Sequence, residues 1–201
     1  MVQQAKLGVG LEGLHRKSGG PCCWNMGKGS GQSTVLFHVD DLKCMKKNMK
    51  LLKELEEEFY RRIRYRECKM PYGDIHEYLG MLFEYDRKAG AVAVSMLGSI
   101  VYVLTRTRTT ATATTPAHGR LFDVDEKAEK LDAKKAKEFH SLVQEISYIS
   151  QRVRWVLMLA VGFLKARMSA PDIDDWKKLL RLLAYLSGTK DHKLTRAKII
   201  S

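Results

Sequence analysis

Cysteine is scarce in this chain, and its placement excludes two common uses of the residue. There are four cysteines in 201 residues, at positions 22, 23, 44 and 68. Two are adjacent and no pair has the C-x-x-C spacing, so the sequence predicts neither a disulfide framework nor a zinc site. Reduced thiols favour an intracellular protein, in the cytoplasm or the nucleus.

Long apolar segments are also missing. The longest covers residues 155–164, is followed directly by Lys165, and falls short of the ~20 residues that a membrane-spanning helix needs. The first 20 residues alternate small and polar types without an apolar centre, which is not the pattern of a secretory signal. We therefore expect neither a membrane partner nor secretion.

Acidic residues are in deficit. Asp and Glu number 23 against 35 Lys and Arg, which gives a formal net charge of +12 and a pI near 9.6. An excess of this size favours a polyanionic partner such as nucleic acid, although many basic proteins simply repel one another in solution.

The first part of the chain predicts a small α+β region. Residues 1–31 hold eight of the 15 glycines and predict a poorly ordered lead-in. Residues 33–39 are typical of a buried strand, and residues 42–45 of a second strand that returns beside it. A helix capped by Asn48 should follow, because apolar residues recur there at helical spacing.

A hairpin and a linker come next. Residues 78–85 and 91–94 flank a polar turn that contains Gly90, which is typical of an antiparallel hairpin. Residues 99–104 fit either a short helix or a strand. Residues 105–118 are rich in threonine and lack core-forming side chains, so they are interpreted as a linker that divides the chain.

Beyond the linker, in residues 119–201, the apolar periodicity is helical. Asp132 is placed to cap the first helix, and the apolar run 155–164 predicts a second helix that is buried on every side. A third helix begins near Pro171 and ends at Gly188. The predicted fold class is therefore α+β, with antiparallel hairpins and a packed helix followed by a helical region.

Two adjacent carboxylates, Asp40 and Asp41, stand at the tip of the predicted strand 33–39. Carboxylates together with substrate phosphates are common ligands of Mg²⁺, and a two-metal site supports in-line phosphoryl transfer. The alternative is an Asp-Asp turn, because Asp hydrogen-bonds its own backbone in turns. These residues taken alone favour the turn.

A series of motifs in a fixed order changes that balance. The motifs are Val39-Asp40-Asp41, Tyr78-Leu79-Gly80-Met81, Ala113-Thr114-Thr115-Pro116, Phe139-His140-Ser141-Leu142-Val143, Trp176-Lys177-Lys178-Leu179 and Tyr185-Leu186-Ser187-Gly188-Thr189-Lys190-Asp191. With them, the chain from about Pro21 to Thr195 resembles the reverse transcriptase of copia-type LTR retrotransposons.

The resemblance implies a fold, an activity and a site. It assigns residues 32–104 to part of a polymerase palm and residues 119–201 to a helical thumb or connection region. Asp40 and Asp41 would be the catalytic residues and metal ligands of an RNA-directed DNA polymerase. The implied cofactor is Mg²⁺, and the implied partners are an RNA template and a DNA primer.

Some departures from the family pattern bear on activity. The family's polymerase has a third metal-binding Asp upstream of the Val39-Asp40-Asp41 motif, whereas residues 1–39 contain no Asp and a single carboxylate, Glu12. The fingers and the ribonuclease H region have no counterpart among the matched motifs. We therefore expect a fragment that is inactive alone. The alternatives are a non-enzymatic basic nucleic-acid-binding remnant and a non-functional retroelement relic.

If the basic excess serves binding, affinity for a primer–template duplex should fall steeply with salt, because each phosphate contact releases counterions. Fluorescence anisotropy of a labelled duplex, titrated between about 50 and about 200 mM salt, measures this slope. Salt-independent binding, or no binding at low ionic strength, would leave only the relic interpretation.

Overall fold

The computed structural model describes residues 14–16, 23–26, 33–38, 41–46, 50, 53, 56, 57, 61 and 72–197. The chain forms two compact units, residues 1–79 and residues 80–201. Helices and antiparallel strands occur together, which confirms the predicted α+β class. No helix in these described ranges is long and apolar enough to cross a membrane.

The first unit contains an antiparallel sheet whose strands follow chain order. The strands are β1 (Leu14–Arg16), β2 (Cys23–Met26), β3 (Ser33–His38) and β4 (Asp41–Lys46). β3 and β4 confirm the two strands predicted from the apolar pattern, and Val35 of β3 is buried. β1 and β2 lie in the segment expected to be a poorly ordered lead-in. These strands are only three and four residues long and lie among glycines, so the sequence pattern does not predict them.

The remainder of the first unit is described in part. Between residues 50 and 61 the five described positions are helical, in the segment predicted as a helix, while its predicted cap Asn48 lies outside the described residues. The strand β5 (Ile75–Tyr78) follows. Leu79 and Gly80 then have φ values of 53° and 69°. This left-handed turn interrupts the single strand predicted over residues 78–85, because a strand requires extended φ values.

The second unit contains three strands that pair antiparallel in this order: β6 (Met81–Asp86), β7 (Ala91–Ser95) and β8 (Leu194–Ala197). β6 and β7 confirm the predicted hairpin. The Asp86 carboxylate closes its turn by accepting the N–H groups of Lys88 and Ala89, each at 2.9 Å. β8 lies beyond the last predicted helix, and Leu194 at its start packs against the helical core.

Four helices supply the core of the second unit. They are α1 (Leu97–Arg106), α2 (Ala133–Arg152), α3 (Met158–Ala166) and α4 (Ile173–Gly188), with a 3₁₀ turn at Trp155–Leu157. Phe139, Ile146 and Leu182 are fully buried at the centre of this core. Ile100 and Val103 of α1 join the same cluster. The ambiguous segment 99–104 is therefore helical, since helical spacing turns its apolar residues toward α2 and α4.

The predicted linker does not separate the helices into two bodies. Residues 105 and 106 complete α1, and the residues that follow run along α4. The Ala113 N–H donates to the Ala184 carbonyl at 3.2 Å, and Arg181 donates to the Thr115 hydroxyl at 2.8 Å. Because α1 shares its core with the later helices, the compact units divide between residues 79 and 80 instead.

Gly188 has a role that the sequence pattern does not reveal. It is the last residue of α4, at the end predicted for this helix. A Cβ atom at this position would lie 3.3 Å from Thr112 Cβ. Glycine therefore allows the threonine-rich segment to approach the helix closely, besides marking the helix end.

The apolar run 155–164 is buried on one side only, which corrects the prediction of a helix buried on every side. Leu157 and Leu164 are buried in the core. Four large apolar side chains are between 50% and 67% exposed: Trp155, Val156, Met158 and Leu159. A run without polar residues has no periodicity to show which side faces solvent, so the exposed face could not be predicted.

A buried ion-pair cluster fixes the start of α4. The Asp172 and Asp175 carboxylates each accept the other's backbone N–H, at 2.9 and 3.1 Å, which forms a capping box. Arg167 donates to Asp172 at 2.8 Å and to Asp175 at 3.1 Å, and Lys130 Nζ lies 3.3 Å from Asp172. Burial alone would raise the pKa of Asp172. The Asp175 N–H and the charges of Lys130 and Arg167 outweigh burial and lower this pKa.

Replacing Asp172 should separate its capping role from its charge. Asp172→Ala removes both and should lower the free energy of unfolding by about 3 kcal/mol, whereas Asp172→Asn keeps the cap and should lose about half as much. Urea unfolding followed by circular dichroism measures both values. Asp132→Asn, at the exposed cap of α2 that accepts the Lys135 N–H at 2.8 Å, is the control and should change little. Equal losses in the two Asp172 variants would exclude a separate contribution from the cap.

Candidate functional site

The two predicted site residues belong to the hairpin formed by β3 and β4. His38, the last residue of β3, pairs with Asp41, the first residue of β4. Only Val39 and Asp40 connect the two strands. Asp40 lies outside the described residues, and Asp41 is described as a backbone position at the start of β4. The hairpin expected around the Asp pair is thus present, and the role of these residues as metal ligands stays a prediction.

Alternation along the strands explains why this hairpin forms where it does. Val35 pairs with Cys44, and Val35 is 1% exposed, so these positions belong to a covered side of the sheet. Positions 41 and 43 of β4 belong to the opposite side, together with their partners His38 and Leu36. The apolar residues on one side therefore fix the register that places position 41 beside the connection.

Lys43 is a residue of this region whose environment is not evident from the sequence pattern. It is buried, with 7% of its surface exposed, and its Nζ lies 5.6 Å from the ring centroid of Tyr78. Burial lowers the pKa of Lys43 to about 8. Near neutral pH its amine is largely protonated, so it places positive charge on the side of β4 that also carries position 41. The only signal in the sequence is a lysine between the apolar residues Leu42 and Cys44.

The described residues do not complete a metal centre. In the described ranges, no group of three or more His, Cys, Asp and Glu side chains is arranged to hold a metal ion. Asp40 is not among those residues. A pair of carboxylates suits Mg²⁺, which keeps several water ligands and takes others from substrate phosphates. The donor chemistry of Asp40 and Asp41 therefore fits a site that substrate would complete.

Basic residues outnumber acidic ones in the second unit as well. Residues 80–197 contain 20 Lys and Arg against 13 Asp and Glu. Lys134, Lys135 and Lys137 are exposed in the first turns of α2. The Asp132 carboxylate already caps this end of α2, so the exposed lysines rather than the helix end supply its positive charge.

Comparison with known proteins gives no match: no protein-family model, no curated protein and no solved structure matches the chain. The resemblance to copia-type reverse transcriptases therefore rests on the sequence motifs.

The buried amine of Lys43 should make stability depend on pH. Its pKa is about 8 in the folded chain against 10.5 for a free lysine. Between these values the unfolded chain binds more protons, so the free energy of unfolding should rise with pH, by on the order of 2 kcal/mol. Urea unfolding at about pH 7 and about pH 9.5, in buffer with EDTA, measures this rise.

Two variants check the origin of that rise. Lys43→Met should abolish most of it, because Met fills a similar volume without a titrating group. Lys53→Met, at an exposed helical position, should keep the wild-type dependence. A rise that persists in Lys43→Met would assign the pH dependence to another group.

Proposed function

We propose that the chain is part of a copia-type reverse transcriptase and that its β3–β4 hairpin belongs to a nucleotidyl-transfer site. The observation that supports this best is the hairpin register. His38 pairs with Asp41 across a two-residue connection, so the Val39-Asp40-Asp41 motif spans the turn between two antiparallel strands. In this proposal, substrate approaches the two adjacent carboxylates at this end of the sheet.

The chemistry proposed for this site is an in-line displacement at phosphorus. The 3′ oxygen of the primer forms a bond to the α-phosphorus of a nucleoside triphosphate, the bond to the β-phosphate oxygen breaks, and pyrophosphate leaves. The hydroxyl proton passes to solvent. When bound, Mg²⁺ would promote loss of that proton and stabilise the charge on the leaving oxygen.

In this proposal, Asp40 and Asp41 are the carboxylates that hold Mg²⁺ beside the primer end. The buried Lys43 amine stands two positions from Asp41 and adds positive charge on that side of β4. A fixed cation near carboxylates and phosphates keeps them in their ionised forms. The nucleic-acid partner, an RNA template with a DNA primer, fits the net charge of +12.

A second function has its own support in the chain. Residues 1–39 contain a single carboxylate, Glu12, whereas the polymerase family uses a third Asp upstream of the motif. The basic excess does not depend on that residue. The second candidate is therefore a basic nucleic-acid-binding protein that does not catalyse polymerisation.

Metal binding tests the role of the Asp pair directly. Titration of the 201-residue chain with Mn²⁺, followed by the loss of the free Mn²⁺ electron paramagnetic resonance signal, should show a weak site. Asp40→Asn and Asp41→Asn should each weaken it at least about tenfold, because each removes a charged ligand. Asp191→Asn is the matched control at an exposed position and should bind as wild type. Wild-type Mn²⁺ affinity in both site variants would overturn the metal-ligand role.

Primer extension separates the two candidate functions. We expect no extension of a DNA primer on an RNA template by the 201-residue chain with Mg²⁺ or Mn²⁺, because groups that act as a unit lose several powers of ten when one is missing. Extension by wild type that disappears in Asp40→Ala would contradict this expectation. It would mean that Glu12 or a partner chain completes the site.

A further inference from the structure

An open groove runs between α1 and α2 in the second unit. Its volume is about 450 Å³, within the range of small-ligand sites. Among the residues that line it are Gly98, Tyr102 and Val103 of α1 and Glu145, Tyr148 and Ile149 of α2. Val103 and Ile149 are buried and form an apolar floor, whereas the tyrosines are 62% and 40% exposed. We refer to these six residues as the tyrosine groove.

An arginine guanidinium group lies against the ring of each tyrosine in the groove. The Arg106 guanidinium carbon lies 5.5 Å from the ring centroid of Tyr102, and that of Arg152 lies 3.4 Å from the ring centroid of Tyr148. Arg152 also donates to the Tyr148 carbonyl at 3.3 Å, which holds it over the ring. Both arrangements are cation–π contacts, and they place positive charge beside two exposed aromatic rings.

The carboxylate in the groove does not oppose an anionic ligand. Glu145 Oε1 accepts hydrogen bonds from Arg106 Nη1 and from Ser141 Oγ, each at 2.9 Å. Glu145 Oε2 is enclosed and does not reach solvent. Arg106 therefore neutralises this carboxylate, and the positive charge that remains near the groove is that of Arg152.

We propose that the tyrosine groove binds unpaired bases of a single-stranded nucleic acid, which stack on Tyr102 and Tyr148 while Arg152 approaches the phosphates. Aromatic rings interleaved with cations are the usual composition of such sites, because every base has a π face and every nucleotide a negative charge. A duplex would not fit, because its base faces are already stacked. The inference rests on the proposed function only for its class of ligand and does not use the metal site.

Binding of a fluorescein-labelled single strand of about 12 nucleotides, measured by anisotropy at low salt with EDTA, tests the proposal. Tyr102→Leu and Tyr148→Leu keep apolar bulk but lose the ring, and each should weaken binding about 5-fold to 100-fold. Trp155→Leu is the matched control, since Trp155 is a half-exposed aromatic of the same unit outside the groove lining. It should bind as wild type.

An abasic strand of equal length and charge tests base stacking without any change to the protein. Wild type should bind it about as weakly as the tyrosine variants bind the normal strand. Equal binding of normal and abasic strands, or equal loss in Trp155→Leu, would overturn the proposal. Capture of an acidic amphipathic peptide by wild type and not by the tyrosine variants, with both strands bound alike, would assign the groove to a protein partner instead.

Failure of the groove proposal can be distinguished from failure of the polymerase proposal. Because EDTA removes divalent ions, strand binding in this assay does not require Asp40 or Asp41. Tyr102→Leu and Tyr148→Leu should in turn keep the wild-type Mn²⁺ affinity while they bind the strand weakly. Loss of the Mn²⁺ site in both variants would contradict a groove that acts separately from the hairpin.

Discussion

Strand register in the β3–β4 hairpin is the constraint on which the candidate site depends. A slip of one residue would move every side chain of β4 to the other side of the sheet. Lys43 would then lie opposite Val35 and lose its position beside the Tyr78 ring. Apolar burial at Val35 thus fixes the position of Asp41 beside the connection. The chemistry proposed for the Asp pair depends on packing that involves neither carboxylate.

An equivalent constraint acts in the second unit, where one helix contacts three others. The apolar stripe of α2 buries Phe139 and Ile146 completely, and α1 packs against the same helix through Val103. Tyr148 of α2 lies at the edge of this contact, where it lines the groove. α1 and α2 meet along the floor of the groove, so its two tyrosines are positioned by the same contact that stabilises the core.

Local patterns in the sequence predicted the elements whose signals are short-range. Asp132 caps α2, and the β6–β7 hairpin follows from a polar turn between two apolar segments. Features that depend on distant residues were not predictable. The pairing of β8 with β7 joins positions about a hundred residues apart in sequence, and Arg167 reaches Asp172 and Asp175 only after α3 and α4 have packed. The turn at Leu79 was missed because leucine seldom adopts a positive φ.

Like the fold, the candidate site was predictable from the sequence only in part. The Asp pair is visible as two carboxylates at the end of an apolar strand, and the register of the hairpin agrees with that placement. The burial of Lys43 was not predictable from the sequence, because a lysine in a short strand is normally solvated. Nothing nearby in the sequence indicates that the Tyr78 ring lies beside it. The tyrosine groove was not predictable either, since Tyr102 and Tyr148 are far apart in sequence.

The location of each charged side chain decides how much of the net charge can contact a nucleic acid. Arg154 is 4% exposed and donates to the Thr189 carbonyl at 2.7 Å, so its charge serves the packing of α4. Arg167 is likewise engaged by two buried carboxylates. Such cations contribute little to counterion release when a polyanion binds, because their guanidinium groups are already engaged within the protein. The electrostatic part of nucleic-acid binding must come from exposed groups such as the lysines that begin α2. A net charge of +12 therefore overstates the number of phosphate contacts the chain can make.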